Sequence, residues 1–183
     1  MSYQGREIEI KLEVMNNWSF AKVDRAISEL YAHRSKRIIK GIGVDTYFKP
    51  PVGAKADFVR VRDTTNGLAQ ITLKYTDKAT NVDRVEKEAD TSDTEMTIEI
   101  FKDLLGPPLG TIEKKYTVYF LDSKDSNISV YQVRDDDRVF VEIEARTMEK
   151  VNQIRKLIED EQPMEFKQVN KSLFQIFVLE KQS

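Results

Sequence analysis

Carboxylate and ammonium side chains alternate with isoleucines near the start of the chain, in Glu7-Ile8-Glu9-Ile10-Lys11. Successive side chains of a β-strand point to opposite faces, so this spacing gives a strand one ionic face and one apolar face. Alone, such a strand is typical of a solvated outer face of a sheet. The two carboxylates could also bind a divalent cation, and the lysine beside them could bind an anionic ligand.

The same alternation recurs in segments that are far apart in the sequence. These segments are Arg60-Val61-Arg62, Arg84-Val85-Glu86-Lys87-Glu88 and Glu142-Ile143-Glu144-Ala145-Arg146. Ordinary exposed strands carry mainly Thr, Ser and Gln, whereas these faces mix carboxylates with cations. We expect helices to cover the apolar faces, which leaves the charged faces pointing together. The pattern therefore predicts an α+β fold, with a closed or cupped antiparallel β-barrel and helices packed outside it.

Such a barrel would enclose a dense set of charges, which are costly to bury unless they are paired or bind an ion. The set is Glu7, Glu9, Lys11, Arg60, Arg62, Lys74, Arg84, Glu86, Glu88, Lys114, Glu142 and Glu144. Carboxylates without histidine or cysteine neighbours favour Mg²⁺ or Mn²⁺. Lysine and arginine beside the metal favour phosphate oxygens. The chemistry therefore predicts a site for a polyphosphate or a nucleoside triphosphate.

Composition narrows the class of protein further. A chain of 183 residues suits a single domain over 1–183, and a net charge of −2 argues against a nucleic-acid partner. The absence of cysteine and the single histidine exclude disulfides, thiolate metal sites and multi-histidine metal sites. No apolar run long enough for a membrane span or a signal peptide occurs, so we expect a cytoplasmic protein without a membrane partner.

Periodicity, caps and turns predict the elements that must position these charges. Helices are predicted at 19–32, 94–105, 147–160 and 164–180. The C-terminal segment 164–183, which contains the last helix, is expected to cover the opening of the barrel. Strands are predicted at 6–14, 37–48, 56–63, 68–76, 82–89, 111–121, 127–134 and 138–146. Thr65-Asn66-Gly67 predicts a hairpin turn between two of them.

Read in order, the motifs resemble the CYTH, or triphosphate tunnel metalloenzyme, superfamily and are most similar to its class IV adenylyl cyclases. The opening E-x-E-x-K follows an aromatic-x-Gly lead-in at Tyr3-Gln4-Gly5. The remaining matches are Val44-Asp45-Thr46-Tyr47-Phe48, Val59-Arg60-Val61-Arg62, Thr72-Leu73-Lys74, Arg84-Val85-Glu86-Lys87-Glu88, the segment 112–120, Phe140-Val141-Glu142-Ile143-Glu144 and Lys171-Ser172-Leu173. The resemblance covers nearly the whole chain.

The resemblance implies a role for each charged residue. It implies that Glu7, Glu9, Glu142 and Glu144 hold Mg²⁺ or Mn²⁺, and that Glu7, Glu9, Lys11 and Glu142 are catalytic. The substrate-binding residues that it implies are Lys11, Arg60, Arg62, Lys74, Arg84, Lys114, Glu86 and Glu88. It also implies conversion of ATP to 3′,5′-cyclic AMP and pyrophosphate, and a homodimer formed through apolar outer surfaces.

Two residues depart from the cyclase pattern. Tyr116 stands where cyclases have the arginine of a K-x-R pair, and Tyr131 stands where they commonly have an aspartate associated with nucleotide placement. Two alternatives to cyclisation therefore stay open. One is a triphosphate hydrolase acting on inorganic triphosphate, thiamine triphosphate or a nucleotide. The other is a non-catalytic nucleotide-binding module.

Overall fold

The computed structural model of the chain describes residues 2–67, 69–76, 83–121 and 126–180, and at 2–7, 76, 83 and 84 it describes the backbone alone. The chain divides into two compact units that interleave along the sequence. Unit one contains Met1–Arg6, Ile42–Glu113 and Lys171–Ser183, and unit two contains Glu7–Gly41 and Lys114–Asn170. The single domain over 1–183 stays a prediction.

The eight predicted strands and the first three predicted helices are present, with small shifts at their ends. The strands are β1 (Ser2–Val14), β2 (Ser35–Phe48), β3 (Phe58–Thr64), β4 (Gln70–Thr76), β5 (Asp83–Asp90), β6 (Gly110–Leu121), β7 (Ser126–Val133), β8 (Val139–Ala145) and β9 (Phe166–Gln168). The α-helices are α1 (Phe20–Tyr31), α2 (Thr94–Leu105) and α3 (Met148–Glu161). A 3₁₀ turn at Ala32–Arg34 follows α1.

Within the described residues, the strands form a nine-stranded sheet in the order β5-β4-β3-β2-β6-β7-β8-β1-β9. The described registers are antiparallel, which confirms an α+β fold with a large antiparallel sheet. This order is that of an open sheet, so the closed barrel is not confirmed. β1 also pairs with β5, a pairing that a barrel requires, and the barrel stays a prediction.

In unit one the apolar face of β2 and β3 packs against α2. Phe48, Val59 and Val61 are buried there. Phe48 meets Phe101 of α2 edge-on, with ring centroids 5.7 Å apart. Because strand side chains alternate, this packing turns the charged residues of β3 to the opposite face. The hairpin turn predicted before β4 is present: the Gly67 amide donates to the Thr64 carbonyl at 3.0 Å.

In unit two, α1 and α3 cover the apolar face. Ile10, Val130 and Ile143 of three different strands are buried on that face, with Val23 of α1 and Ile154 of α3. The side chains of Ser19 and Thr147 cap the N-termini of the two helices by accepting the backbone amides of Lys22 and Lys150. The Tyr31 hydroxyl on α1 donates to the Ile154 carbonyl at 3.2 Å, which ties the two helices together.

The helix predicted from residue 164 is wrong over its first part. Phe166–Gln168 forms β9, which pairs with the edge of β1 in the register Leu12↔Gln168. The Val169 amide continues this contact by donating to the Lys11 carbonyl at 2.8 Å. A helix here would use these backbone groups internally, so the edge of β1 decides the conformation. A π-helical turn at Gln175–Leu179 follows, and the lid stays a prediction.

Candidate functional site

Unit two brings three of the four predicted metal ligands together. Ligand atoms of Glu9, Glu142 and Glu144 all lie within 4.8 Å of one another. The register explains this cluster, since Glu9 lies opposite Glu144 and Lys11 opposite Glu142 across the β1–β8 pair. The Lys11 ammonium lies 3.2 Å from Glu142 Oε2 and 3.6 Å from Glu9 Oε1.

The donor set of this cluster suits a hard divalent cation. Glu9 and Lys11 are 3% and 4% exposed, so neither charge is offset by full hydration. Among the described side chains, the carboxylates of Glu9, Glu142 and Glu144 lie beside the Lys11 ammonium, and three carboxylate oxygens at this spacing are ligands that a divalent cation prefers. Glu9, Glu142 and Glu144 therefore fit Mg²⁺ or Mn²⁺, the ions expected from the sequence. The Glu7 side chain lies outside the described residues, and its role stays a prediction.

Strand β7 adds neutral hydrogen-bond donors to the carboxylates of β8. The Tyr131 hydroxyl donates to Glu142 Oε2 at 3.2 Å, and the Asn127 amide nitrogen donates to Glu144 Oε2 at 2.6 Å. Asn127 lies directly opposite Glu144 across the β7–β8 pair. The sequence prediction did not include Asn127, and it treated Tyr131 as a missing aspartate rather than as a donor. Only the register of β7 on β8 shows these contacts.

Lys114 and its neighbour Lys115 lie on opposite faces of β6, as the alternation predicts. The Lys114 ammonium lies 5.3 Å from the ring centroid of Tyr131. The Lys115 ammonium lies 4.9 Å from the ring centroid of Phe20 on α1, on the helix-covered face. Lys115 therefore does not replace the arginine that Tyr116 displaces. Tyr116 itself lies opposite Tyr131 in the β6–β7 register and is half-buried.

Unit one brings together a second set of predicted residues, around the buried carboxylate of Asp45. Arg62 donates to Asp45 through Nε at 2.6 Å and through Nη2 at 3.0 Å. Arg60 Nη1 lies 4.0 Å from the same carboxylate. Burial lowers the pKa of the Arg62 guanidinium, but the Asp45 carboxylate outweighs this effect and raises it, so the pair is ionised. Asp45 is 0% exposed and is a positioning group that the prediction did not include.

The remaining charged side chains of this face interact across β3, β4 and β5, and Thr72 links Arg60 to Glu88. Arg60 Nη2 donates to Thr72 Oγ1 at 2.9 Å, and the Thr72 hydroxyl donates to Glu88 Oε1 at 3.4 Å. Lys74 forms an ion pair with Glu86, its partner in the β4–β5 register. Burial and the neighbouring Glu86 carboxylate raise the pKa of Glu88 above its ordinary value, although Arg60 and Arg62 oppose this.

The predicted cation set thus contains both ion-paired and hydrogen-bonded members. Arg60, Arg62 and Lys74 share one face of β3 and β4, with Glu86 and Glu88 beside them on β5. The Arg84 side chain lies outside the described residues, so its role stays a prediction. Carboxylates hold Arg62 and Lys74 in place on this face, so a phosphate group that binds these cations must share or displace their present partners.

Comparison with known proteins identifies the family. A sequence model of the CYTH domain matches residues 5–173. The chain belongs to the CYTH domain family, as the motifs indicated. Members of this family bind triphosphates, depend on metal and are generally enzymes, either adenylate cyclases or triphosphatases. Among curated proteins, no sequence match is found.

Three solved structures illustrate the similarity of the fold. The PH1012 protein of Pyrococcus horikoshii is 27% identical, with 84% of this chain and 86% of that chain covered and a TM-score of 0.62. A conserved hypothetical protein of Pyrococcus furiosus is 22% identical, with coverages of 93% and 99% and a TM-score of 0.70. HpAC1 of Hippeastrum, a candidate adenylyl cyclase described as having a dominant triphosphatase activity, is 16% identical, with coverages of 93% and 94% and a TM-score of 0.68.

Among the described residues, no helix has the length and apolar character needed to cross a membrane.

Proposed function

We propose that this chain is a metal-dependent enzyme that cleaves a phosphoanhydride bond of a triphosphate, as a class IV-type adenylyl cyclase that converts ATP to 3′,5′-cyclic AMP and pyrophosphate. The observation that carries the proposal is the convergence of Glu9, Glu142 and Glu144, with Lys11 beside them, in a member of the CYTH family. The β1–β5 pairing supports the further proposal that the strands close into a tunnel.

The two charged sets take different parts in this proposal. Glu9, Glu142 and Glu144 would hold Mg²⁺ or Mn²⁺, with Glu7 as a further ligand. The metal supplies charge neutralisation at the phosphate oxygens. Arg60, Arg62, Lys74, Arg84 and Lys114 would bind the triphosphate oxygens.

No protein nucleophile is required for cyclisation. The ribose 3′-oxygen forms the new bond to the α-phosphorus and loses its proton, while the bond from that phosphorus to pyrophosphate breaks. Positioning and fixed positive charge then supply the rate. Lys11 holds Glu142 in place through the contact at 3.2 Å between its ammonium and Glu142 Oε2.

Hydrolysis of a triphosphate is the second candidate, and one observation favours it. Tyr131, which stands at the position of the cyclase aspartate, is engaged with Glu142 and Lys114. Tyrosine supplies no carboxylate at this position, and its hydroxyl already donates to Glu142. In hydrolysis, water rather than the ribose hydroxyl attacks the terminal phosphorus, the bond to the diphosphate breaks, and orthophosphate and a diphosphate are the products.

Product analysis separates these reactions. The purified chain is incubated with ATP or tripolyphosphate and Mg²⁺ or Mn²⁺, and the products are resolved by ion-exchange chromatography. Cyclic AMP with pyrophosphate supports cyclisation, whereas orthophosphate supports hydrolysis in its place. Binding without turnover would overturn both and support a nucleotide-binding module.

Matched carboxylate variants test the metal site in the same assay. Glu9→Gln and Glu142→Gln keep the side-chain size and should abolish metal-dependent turnover. The control is Glu149→Gln, an exposed residue in the first turn of α3. Full activity in Glu9→Gln and Glu142→Gln would refute the metal assignment.

A further inference from the structure

The carboxylate of Glu142 has its two oxygens in different environments. Its Oε2 atom accepts the Tyr131 hydroxyl at 3.2 Å and lies 3.2 Å from the Lys11 ammonium. Two donors on one oxygen fix the rotation of the carboxylate. Its Oε1 atom is then oriented independently of any metal, so the orientation of Glu142 is set by its protein neighbours.

The length of the tyrosine makes this contact. Tyr131 lies opposite Phe140 in the β7–β8 register, and Glu142 lies opposite Ser129. Tyr131 and Glu142 are therefore diagonal neighbours, which lie about 7–8 Å apart and are within reach of an aromatic side chain. An aspartate at this position is too short to span a diagonal pair. The exchange of aspartate for tyrosine thus replaces a charge with a neutral donor that reaches the metal carboxylates.

The ring of Tyr131 is held by its neighbours. It stacks on Phe140, with centroids 5.5 Å apart and an interplanar angle of 21°. The Lys114 ammonium lies 5.3 Å from its centroid. Tyr131 is 3% exposed, so water has little access to replace Glu142 as the hydrogen-bond partner of its hydroxyl. Packing therefore fixes the donor, and the donor fixes the carboxylate.

We infer that Tyr131 is a positioning residue for the metal, which orients Glu142 through its hydroxyl and does not touch the substrate. The inference rests on the proposed function, because it takes Glu142 as a metal ligand. Asn127 also donates to a carboxylate of the cluster, with its amide nitrogen 2.6 Å from Glu144 Oε2. Residues that orient metal ligands through hydrogen bonds typically contribute about 10–100-fold to metal affinity.

The test is Mn²⁺ binding without substrate, measured by electron paramagnetic resonance from the loss of the free-ion signal. Tyr131→Phe keeps the ring on Phe140 and near Lys114 but removes the hydroxyl. We expect its dissociation constant for Mn²⁺ to rise about 10-fold. If the chain is active, the Mn²⁺ concentration for half-maximal rate should rise equally, while the rate at saturating Mn²⁺ stays within about twofold.

Tyr119→Phe is the matched control. Its hydroxyl also donates to a carboxylate, at 2.6 Å from Asp24 Oδ1 on α1, away from the acidic cluster. This variant should lose thermal stability but bind Mn²⁺ like the wild type. A Tyr131→Phe variant that loses stability without losing Mn²⁺ affinity would show a purely structural role and overturn the inference.

Glu142→Gln separates the inference from the proposed function. If Glu142→Gln weakens Mn²⁺ binding and Tyr131→Phe does not, the metal site stands and only the role of Tyr131 fails. If the wild type binds no Mn²⁺, or if Glu142→Gln binds it unchanged, the metal assignment fails and the inference fails with it. Far-UV circular dichroism of each variant checks that the fold is kept.

Discussion

Arg62 and Asp45 form a two-point ion pair across the β2–β3 register, with donor–acceptor distances of 2.6 and 3.0 Å. Asp45 is fully buried, and Tyr47 on the same strand lies 3.5 Å away through its hydroxyl. Burial, and the Asp45 charge beside it, raise the pKa of Tyr47, so its hydroxyl stays protonated. A cation predicted to bind phosphate is thus held by a carboxylate that the ligand must share or displace.

Replacing Asp45 should destabilise unit one. Asp45→Asn removes the buried carboxylate that holds Arg62 at two points, which costs about 3 kcal/mol in the free energy of unfolding. Urea unfolding followed by circular dichroism measures this loss. Tripolyphosphate should restore part of the stability, because its oxygens can take the place of the carboxylate. Asp63→Asn, an exposed position on the same strand as Arg62, is the control, and an equal loss there would contradict the prediction.

The pH dependence of stability should report the crowded carboxylates of β5. Burial and Glu86 raise the folded-state pKa of Glu88 above its ordinary value of 4.5. The folded protein therefore holds a proton that the unfolded chain has lost, and stability falls as the pH rises from about 4.5 through the raised pKa. Glu88→Gln removes this dependence, so its stability relative to wild type should increase over that range.

Urea unfolding at several pH values between 4 and 8 measures the effect of Glu88→Gln. The control is Glu165→Gln, which removes an exposed carboxylate of unit two. Its stability relative to wild type should change little over the same range. A Glu88→Gln curve parallel to that of the wild type would show that the carboxylates of β5 do not repel each other as described.

Asp24 should show the opposite dependence. Burial alone raises its pKa, but hydrogen bonds from Lys40 and Tyr119 outweigh this and lower it below the ordinary 3.8. Its contribution to stability is therefore complete above about pH 3.8 and is lost as the pH falls through the lowered pKa. At pH 7, Asp24→Asn should cost about 1 kcal/mol, since Lys40 is largely exposed and its charge is screened.

Thermal unfolding at pH 7 and pH 3 tests the role of Asp24, and the difference in stability between the wild type and Asp24→Asn should be smaller at the lower pH. Asp160→Asn provides the comparison, because Asp160 accepts Lys156 on the solvent face of α3. An exposed pair of this kind contributes little, so that variant should unfold like the wild type at both pH values. A larger loss in Asp160→Asn than in Asp24→Asn would contradict the prediction.

Alternation of charge predicted the charged faces because it depends only on strand geometry. Lys114 and Lys115 lie on opposite faces as the period of two requires. The same rule, with the turn at Gly67, was sufficient to pair β3 with β4 in the correct order. Family membership could also be predicted, because several charged motifs occur along the chain in the order that the family has them.

Contacts that depend on register between distant strands could not be predicted in this way. Asp45 was in a quoted motif, but its pairing with Arg62 requires the exact alignment of β2 on β3. Tyr131 reaches Glu142 only because their register is diagonal. The segment from 164 has apolar spacing that suits a helix, yet the open edge of β1 draws Phe166–Gln168 into a strand. In each case tertiary position outweighs local pattern.

The two neighbouring lysines of β6 offer a matched test of which face binds the triphosphate. Lys114→Met removes a buried ammonium near Tyr131 but keeps a side chain that packs on the ring. Its dissociation constant for tripolyphosphate, measured by isothermal titration calorimetry with Mn²⁺ present, should rise about 10-fold, the equivalent of one charge-assisted contact. Lys115→Met removes the same charge from the face that contacts Phe20 of α1, so its affinity should equal that of the wild type. Equal losses in both variants would mean that net charge, rather than the face of β6, governs binding.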